Sequence, residues 1–552
     1  MIRRVVLIGA TGMFGRRMAA RLALWPELDL VLGGRRSEPL AALSAELAAA
    51  GGLARVSLAV LDRDRPSEVL AQAPWAVIDA AGPFQGAGLE LAHAVIDAGA
   101  HWIDLADARD YVGGFGPRLD NLARRRGVVA VTGASSTPAI TGASLDRITA
   151  VWRRTDRIWA AIVPGAQVPG RSVTRAILSW AGQPTPCLIA GHWTDRAGWS
   201  GLKRFYLPGV GSRVVSLAAT PDLDLLPRRG VSEALFYAGV QPPFLHWLLW
   251  LAAWTVRLRL LPSLGPLAGP MRFLALPLVG MGGARGGMVV VAEGIGADGA
   301  PRTARWSLAA ARDAGPSVPV APALAVLRAL VAGRLTQPGA GPCVGLVDLD
   351  QITAELAHLD IGTRSEGWTK DAQDLFPRVL GDDFAVLPAA VRAAHGGGAQ
   401  NLTGRALCRG RGGLAALARL FAGLPGPGRY EANVSITPAT GGEVWTRRFG
   451  ARRFRSRLRA VADRPGLFEE SLGPVTIRFS ATCDADAFRW IQEGWRLGPL
   501  PMPGWLGLKV RARSFERGGS YRFSVLVAHS WIGVLVAYSG RLSPVVSGAA
   551  EG

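Results

Sequence analysis

The chain has 552 residues, 49% of them apolar, enough for about two to four domains with cores of their own, which excludes a disordered or fibrous protein. Its 62 basic residues against 42 acidic ones leave a net charge of +20, a balance that ordinarily suits nucleic acid or an anionic membrane. Nearly all the cations are arginine in an alanine- and glycine-rich chain, the bias of GC-rich coding, and none of their clusters is interleaved with stacking aromatics, so no nucleic-acid partner is expected.

The first element is a strand from Arg4 to Ile8, a continuous β-branched and leucine run that suits a parallel strand covered on both faces. A glycine turn follows, with Gly9, Gly12 and Gly15 three residues apart, and then a helix that places Met18, Ala19 and Leu22 on one face. Gly9 suits the sharp turn, Gly12 the approach of a diphosphate, and Gly15 close packing of helix on strand. The free amides of the helix N-terminus then face an anion. Strand, glycine turn and helix together are the context in which this spacing signals a dinucleotide.

A second strand, Leu28 to Leu32, ends in Gly33, Gly34, Arg35, Arg36 and Ser37. Sites for NAD usually place a carboxylate there for the ribose hydroxyl. Guanidinium groups and a hydroxyl suit the additional phosphate of NADP(H) instead, through charge-assisted hydrogen bonds. The alternation continues with a helix from Pro39 to Ala50, a strand from Val56 to Leu61 ending in Asp62, and a strand from Trp75 to Ala81 that runs into Gly82 and Pro83. A helix from Leu89 to Ala98 and strands His101 to Leu105 and Val128 to Thr132 complete a doubly wound parallel sheet, a Rossmann fold. Asp104, Asp107 and Tyr111 lie beyond the fifth strand on the ligand side, where they could supply a proton; Asp104 equally suits a turn cap. The Tyr-x-x-x-Lys pair of short-chain dehydrogenases is missing, since Tyr111, Tyr206 and Tyr237 have no lysine four residues on.

The glycine turn, the ending GGRR, the stretch DAAGPFQGAG, the segment AVIDAGAHWIDLADARDY and VVAVTGASSTPAITG from Val128 to Gly142 resemble the NADP-binding domain of the saccharopine dehydrogenase-like oxidoreductases. The resemblance continues more loosely from Gly198 to Pro221 and from GGMVVVAEGIGADG into WSLAAARDAGPSVPVAPALAV, covering about residues 1–362. It implies that Gly9, Thr11, Gly12, Met13, Phe14 and Gly15 hold the diphosphate and Arg35 with Arg36 the ribose phosphate. It further implies that Ala81, Gly82 and Pro83 lie near the ribose and nicotinamide, with Asp62 on the adenine side. The family divides into amino-acid enzymes and lipid-associated or uncharacterised reductases, and residues matching the saccharopine substrate pocket are not evident here.

From about 141 to 362 the chain has the size of a second α/β domain, for substrate or dimerisation, with strands at Trp152 to Val163 and Met288 to Gly294 and a helix at Ala321 to Ala332. Its odd feature is FLHWLLWLAAWTV, Phe244 to Val256, followed by Arg257 and Arg259. The run is too short to span a bilayer, which takes about twenty residues. It suits a helix lying at a membrane interface (residues 244–260) or the wall of an acyl pocket, and equally a buried core or homodimer helix.

Beyond a linker containing Gly362, Ser365 and Gly367, helical pieces at Phe384 to Ala394 and Leu414 to Phe421 precede a period of two. Runs at Glu431 to Thr437, Glu443 to Phe449, Val475 to Thr482, Lys509 to Phe515, Tyr521 to Ala528 and Val534 to Leu542 predict an antiparallel sheet or open barrel over 370–545. The densest basic stretch, Arg447 to Arg459, alternates with Phe449, Phe454 and Leu458 and reads as strand or helix surface. This region resembles an uncharacterised bacterial domain often attached to the dehydrogenase-like module, through WTRRFGARRFRSRL and LVAYSGRLSP. His395 reads as a helix-end residue, and Trp445, Trp490, Trp495 and Trp505 as core that could also line an apolar cavity.

Cys187, Cys343, Cys408 and Cys483 stand far apart with no zinc spacing, so reduced thiols, no metal and a cytoplasmic protein are expected, at most peripheral at the inner face of the membrane. The apolar run after Arg3 and Arg4 ends in the glycine turn and is too short for a signal peptide. Three functions compete. The first is an NADP(H)-dependent oxidoreductase for an apolar or acyl-linked small molecule; the others are a saccharopine-type amino-acid dehydrogenase and a non-catalytic NADP-binding protein with a lipid- or partner-binding sheet domain.

Overall fold

The computed structural model describes residues 2–165, 170–311, 314–369, 374–397, 399–410, 412–421, 424–439, 442–461, 464–498 and 500–544. The chain divides into two compact units, Met1–Gly294 with Arg305–Ser365, and Ile295–Ala304 with Glu366–Gly552.

The first unit opens with β1 (Arg3–Ile8), α1 (Met13–Leu22), β2 (Leu28–Gly34), α2 (Ser37–Ala49), β3 (Arg55–Val60) and α3 (Pro66–Leu70). It continues with β4 (Ala76–Asp79), α4 (Glu90–Asp97), β5 (His101–Asp104), α5 (Arg109–Arg126) and β6 (Val129–Thr132). The strands lie in the order β6-β5-β4-β1-β2-β3, all parallel, with Gly339–Pro342 added beside β6. Strand order reverses between β1 and β4, and the crevice outside the carboxyl ends of those two strands is where such sheets bind ligands. Alternate residues of β1 serve the two faces: Val5 and Leu7 join a core with Met18 and Leu43, Val6 and Ile8 one with Val95 and Phe115.

Two elements of this sheet escape the hydrophobic pattern. In α5, Gly113, Gly114, Gly116 and Pro117 disguise a helix of eighteen residues. It forms because Tyr111, Val112, Phe115, Leu119 and Leu122 share one buried face. Gly339–Pro342 has no β-forming side chains and is held by its backbone ladder to β6.

Next comes a mixed sheet of nine strands in which Glu233–Ala238 lies parallel to Trp152–Val163. The helix Ala321–Val331 is buried along most of its length in the larger core. The tryptophan-rich run is the helix Pro243–Arg257. It buries His246, Leu249, Ala253 and Val256 and exposes Phe244, Trp247, Leu248 and Leu251, so it is half core helix and half apolar surface. No described helix is long and apolar enough to cross a membrane.

In the second unit ten strands form a closed barrel: Gln400–Arg409, Gly428–Ala439, Gly442–Phe449, Arg452–Ala460, Leu467–Leu472, Val475–Cys483, Ala487–Leu497, Leu508–Arg517, Ser520–His529 and Gly533–Pro544. Each pairs antiparallel with the next, and the tenth returns to the first. Closure goes beyond the antiparallel sheet or open barrel that the spacing predicts, and it gives each of the ten strands a partner on both sides. The eighth strand shows the alternation: Val510, Ala512 and Ser514 turn inward, while Lys509, Arg511 and Arg513 face out. Four strands, at 400–409, 452–460, 467–472 and 487–497, lack enough apolar alternation to stand out, and the arginine-rich stretch is the hairpin of the third and fourth strands.

Candidate functional site

At the head of β1, Gly9 adopts φ +75°, and a Cβ there would stand 3.0 Å from Ala81 in the segment after β4. A Cβ on Gly15 would overlap the Gly9 carbonyl oxygen, so α1 can start tight against its own strand only with glycine at this position. Gly12 is the N-cap, brings no side chain to the first amides of α1, and no acid occupies the first turn. Those amides are therefore available to an external acceptor. Thr11, Met13 and Phe14 are half-buried around the turn, with Phe14 packed on the core. Gly170, at the N-cap of the helix Arg171–Trp180, comes up beside Met13 and borders the crevice from the mixed-sheet side.

At the end of β2, Arg35 and Arg36 are exposed and make no hydrogen bond or ion pair among the described residues. The Leu61 amide donates to the Gly34 carbonyl at 3.1 Å, so the segment that carries Asp62 leaves β3 next to the end of β2. Asp62 is partly spent on its own turn: its Oδ1 accepts from the Asp64 amide (3.1 Å), and its amide donates to Glu68 Oε2 (2.8 Å).

Ala81, Gly82 and Pro83 form an irregular segment after β4, fixed at both ends. Asp79, fully buried, accepts from the Ala81 amide (2.9 Å) and from Arg63 Nε (2.6 Å). Burial raises its pKa against the pull of that guanidinium. Phe84 is gripped between the Arg63 guanidinium, 5.0 Å above its ring, and Tyr111, 5.3 Å away between centroids. Tyr111 is 6% exposed; burial, with Asp104 and Asp79 nearby, pushes its phenol pKa up, so it keeps its proton.

Asp104 accepts from Trp102 Nε1 (2.8 Å), Thr132 Oγ1 (2.9 Å) and the amides of Ala106 (3.0 Å) and Gly133 (2.8 Å). It ties the ends of β5 and β6 together, the turn-capping role its sequence suits, and burial raises its pKa to about 6 against those hydrogen bonds. Asp107, three residues on, is exposed and accepts from Gln85 Nε2 at 3.1 Å.

The sequence reading missed a buried carboxyl, Asp222. It heads the short helix Asp222–Leu225, which packs against the turn Ser136–Ile140 beyond β6 and is anchored by Arg109, whose Nε donates to Asp224 Oδ2 (2.6 Å). Both Asp222 oxygens and the hydroxyls of Thr141, Thr220 and Ser136 are buried without a closed hydrogen bond. Burial pushes the Asp222 pKa up to about 7. No local motif marks this residue: of the hydroxyls beside it Thr220 is two residues away, but Thr141 comes from about eighty residues earlier in the chain.

Comparison with known proteins divides the chain in two. Residues 387–542 match the family model described as Domain of unknown function (DUF4166). That stretch is the barrel with the helix that precedes it. No curated protein sequence matches the chain. Among solved structures, apo saccharopine dehydrogenase (L-Glu forming) from Saccharomyces cerevisiae aligns over 66% of this chain and 99% of its own, at 13% identity and TM-score 0.47. An engineered D-amino acid dehydrogenase bound to NADP+ aligns over 64% of this chain and 99% of its own, at 16% identity and TM-score 0.36. GenD2 from gentamicin A biosynthesis, in complex with NAD, aligns over 64% and 92%, at 15% identity and TM-score 0.32.

Proposed function

We propose that the chain is an NADP(H)-dependent oxidoreductase acting on an apolar or acyl-linked small molecule. The observation that carries this reading is the glycine cradle: at Gly9 and Gly15 a side chain would collide with the protein itself, and Gly12 leaves the amides of α1 uncapped. Gly9, Thr11, Gly12, Met13, Phe14 and Gly15 would hold the diphosphate, and Arg35 with Arg36 the ribose phosphate. Asp62 would lie at the adenine, and Ala81, Gly82 and Pro83 at the ribose and nicotinamide. Bound there, the coenzyme supplies hydride chemistry, and the protein supplies position and shielding.

Asp79 and the Arg63–Phe84–Tyr111 stack hold the 81–84 segment in place, so Tyr111 acts by positioning. Asp107 is the accessible carboxylate on the ligand side and is the group assigned to exchange a proton with substrate. Calorimetric titration with NADPH and NADH tests the coenzyme: NADPH should bind more tightly, and Arg35→Ala should remove the difference. Equal affinities for the two would refute the NADP preference, and failure of both to bind would refute the site.

The apolar substrate rests on the exposed face of Pro243–Arg257 with the following helix, where Trp247, Leu248, Leu251 and Phe273 (73% exposed) stand among Arg257, Arg259 and Arg272. An apolar face with a cationic margin suits peripheral contact with an anionic lipid surface. The full chain should sediment with phosphatidylglycerol vesicles and lose that binding on Leu248→Glu with Leu251→Glu. A homodimer that these substitutions dissociate, with no vesicle binding by the parent, would assign the face to a second copy instead.

A further inference from the structure

The interior of the ten-stranded barrel holds a cavity of about 490 Å³. Eight-stranded barrels are just filled by their own side chains, and added strands open space inside; this volume lies in the ~300–1,000 Å³ range of small-molecule sites. The wall is aliphatic and aromatic, with Val434, Phe449, Ile477, Val510 and Phe523 among its residues. Its polar residues include Arg447, Glu470, His395, Ser514 and Tyr521, with the exposed Arg455 and Arg513 also in the wall. Arg447 turns inward between Trp445 and Phe449, and its Nη1 donates to Ser456 Oγ (2.7 Å) and Glu470 Oε1 (3.0 Å). Its Nε and Nη2 have no hydrogen-bond partner among the described residues.

Trp490, 7% exposed, also lines the cavity, and its indole Nε1 has no acceptor. His395 faces Tyr521 Oη (3.3 Å) and Ser514 Oγ (3.4 Å) through Nε2 while its buried Nδ1 is unpartnered. These groups converge on the Trp445 ring, with the His395 ring 5.5 Å and the Trp490 ring 5.9 Å away and the Arg447 guanidinium 4.8 Å above it. A native interior rarely leaves donors buried with no acceptor, and each such group calls for an explanation.

We propose that the barrel interior is a second binding site, for one uncharged, largely apolar molecule whose carbonyl oxygen accepts from Arg447 and Trp490. Arg447 is already neutralised by Glu470, so a carboxylate ligand would place a net negative charge in an apolar cavity, whereas a ketone, aldehyde or ester takes up the spare donors without one. Access is from the opposite end. The helix Ala389–His395 and Phe376 close the end where the first strand begins. At the other, the ladder between the fourth and fifth strands stops at Arg457 and Ser471, leaving Phe454, Leu472 and Pro474 along a seam. Trp505 and Trp531, their rings 5.5 Å apart and both exposed, lie on turns at that same end.

Calorimetry on the full chain with a medium-chain methyl ketone, the fatty acid of equal length and the matching alkane tests the assignment. The ketone should bind saturably, one per chain, and more tightly than either of the others. Trp490→Phe, which keeps an aromatic ring and removes the donor, should weaken the ketone roughly fivefold and leave the alkane unchanged. Ala512→Trp, which fills the cavity from the eighth strand, should abolish ketone uptake while NADPH binding persists. No saturable ketone binding, or uptake that survives Ala512→Trp, would overturn the site. Tighter binding of the fatty acid, or a ketone preference over alkane that survives Trp490→Phe, would overturn the uncharged-acceptor assignment.

Discussion

The turn after β1 and the interior of the C-terminal barrel both present unpaired donors to a space, yet they are built in opposite ways. In the turn the donors are backbone amides, and the requirement is that side chains be absent: seven consecutive residues, Gly9 to Gly15, suffice, with β1 and α1 to hold them. In the barrel the donors are side chains, brought in on the third strand (Arg447), the seventh (Trp490) and a helix end (His395). A site made of backbone is compact in sequence and intolerant of a single methyl. A site made of side chains is spread over about a hundred residues and depends on the register of every strand between them.

That contrast can be broken most forcefully through Phe376, whose ring meets His395, Trp445, Phe468, Phe488 and Trp490 at 4.9–6.2 Å. Phe376→Ala should destabilise the barrel by about 3–5 kcal/mol in denaturant titration and leave NADPH affinity unchanged. Coupled loss of both would show that the two sites do not fold independently.

Next in size is Asp222. Its pKa is raised in the folded state, so folding takes up a proton, and the stabilisation is fully present below the ordinary carboxyl range and lost as pH rises toward about 7. Asp222→Asn should flatten the fall in stability between acid and neutral pH and gain on the order of 2–4 kcal/mol relative to the parent above neutrality. An unchanged pH profile would place an ion or ordered donors around that carboxylate.

Gly15→Ala places a methyl on the Gly9 carbonyl and should weaken NADPH by about a hundredfold or more while ketone uptake by the barrel is untouched. The smallest effect expected is that of Arg35→Ala, about tenfold for NADPH with no change for NADH, since a single exposed charge-assisted contact is lost. An equal loss for both coenzymes would make Arg35 a general electrostatic aid and not a reader of the phosphate.

The parallel sheet was legible because each strand is a short apolar run and each βα turn carries its glycines or arginines in order; the strands from β1 to β6 fall within a residue or two of the periodicity. What escaped has a physical cause in each case. The helix α5 hides behind three glycines and a proline, Gly339–Pro342 pairs by backbone alone, and four barrel strands carry charged residues, arginines in three and a glutamate pair in Leu467–Leu472, where an apolar alternation would have marked them. Asp222 escaped because a buried carboxyl looks in sequence like any helix-starting aspartate. Tyr111, which stands on the ligand side in sequence, is turned into the core to brace Phe84.

Residue order alone determined the glycine turn, the cationic end of β2, the shortness of the tryptophan-rich run and the period-two character of the last third, since all of these depend on neighbours within a dozen positions. Only the tertiary structure decided that the last third closes on itself, that closure leaves a cavity, and that Arg447, Trp490 and His395 face it together. Strand register and barrel closure are set by pairings between residues far apart in the chain, which local composition does not encode.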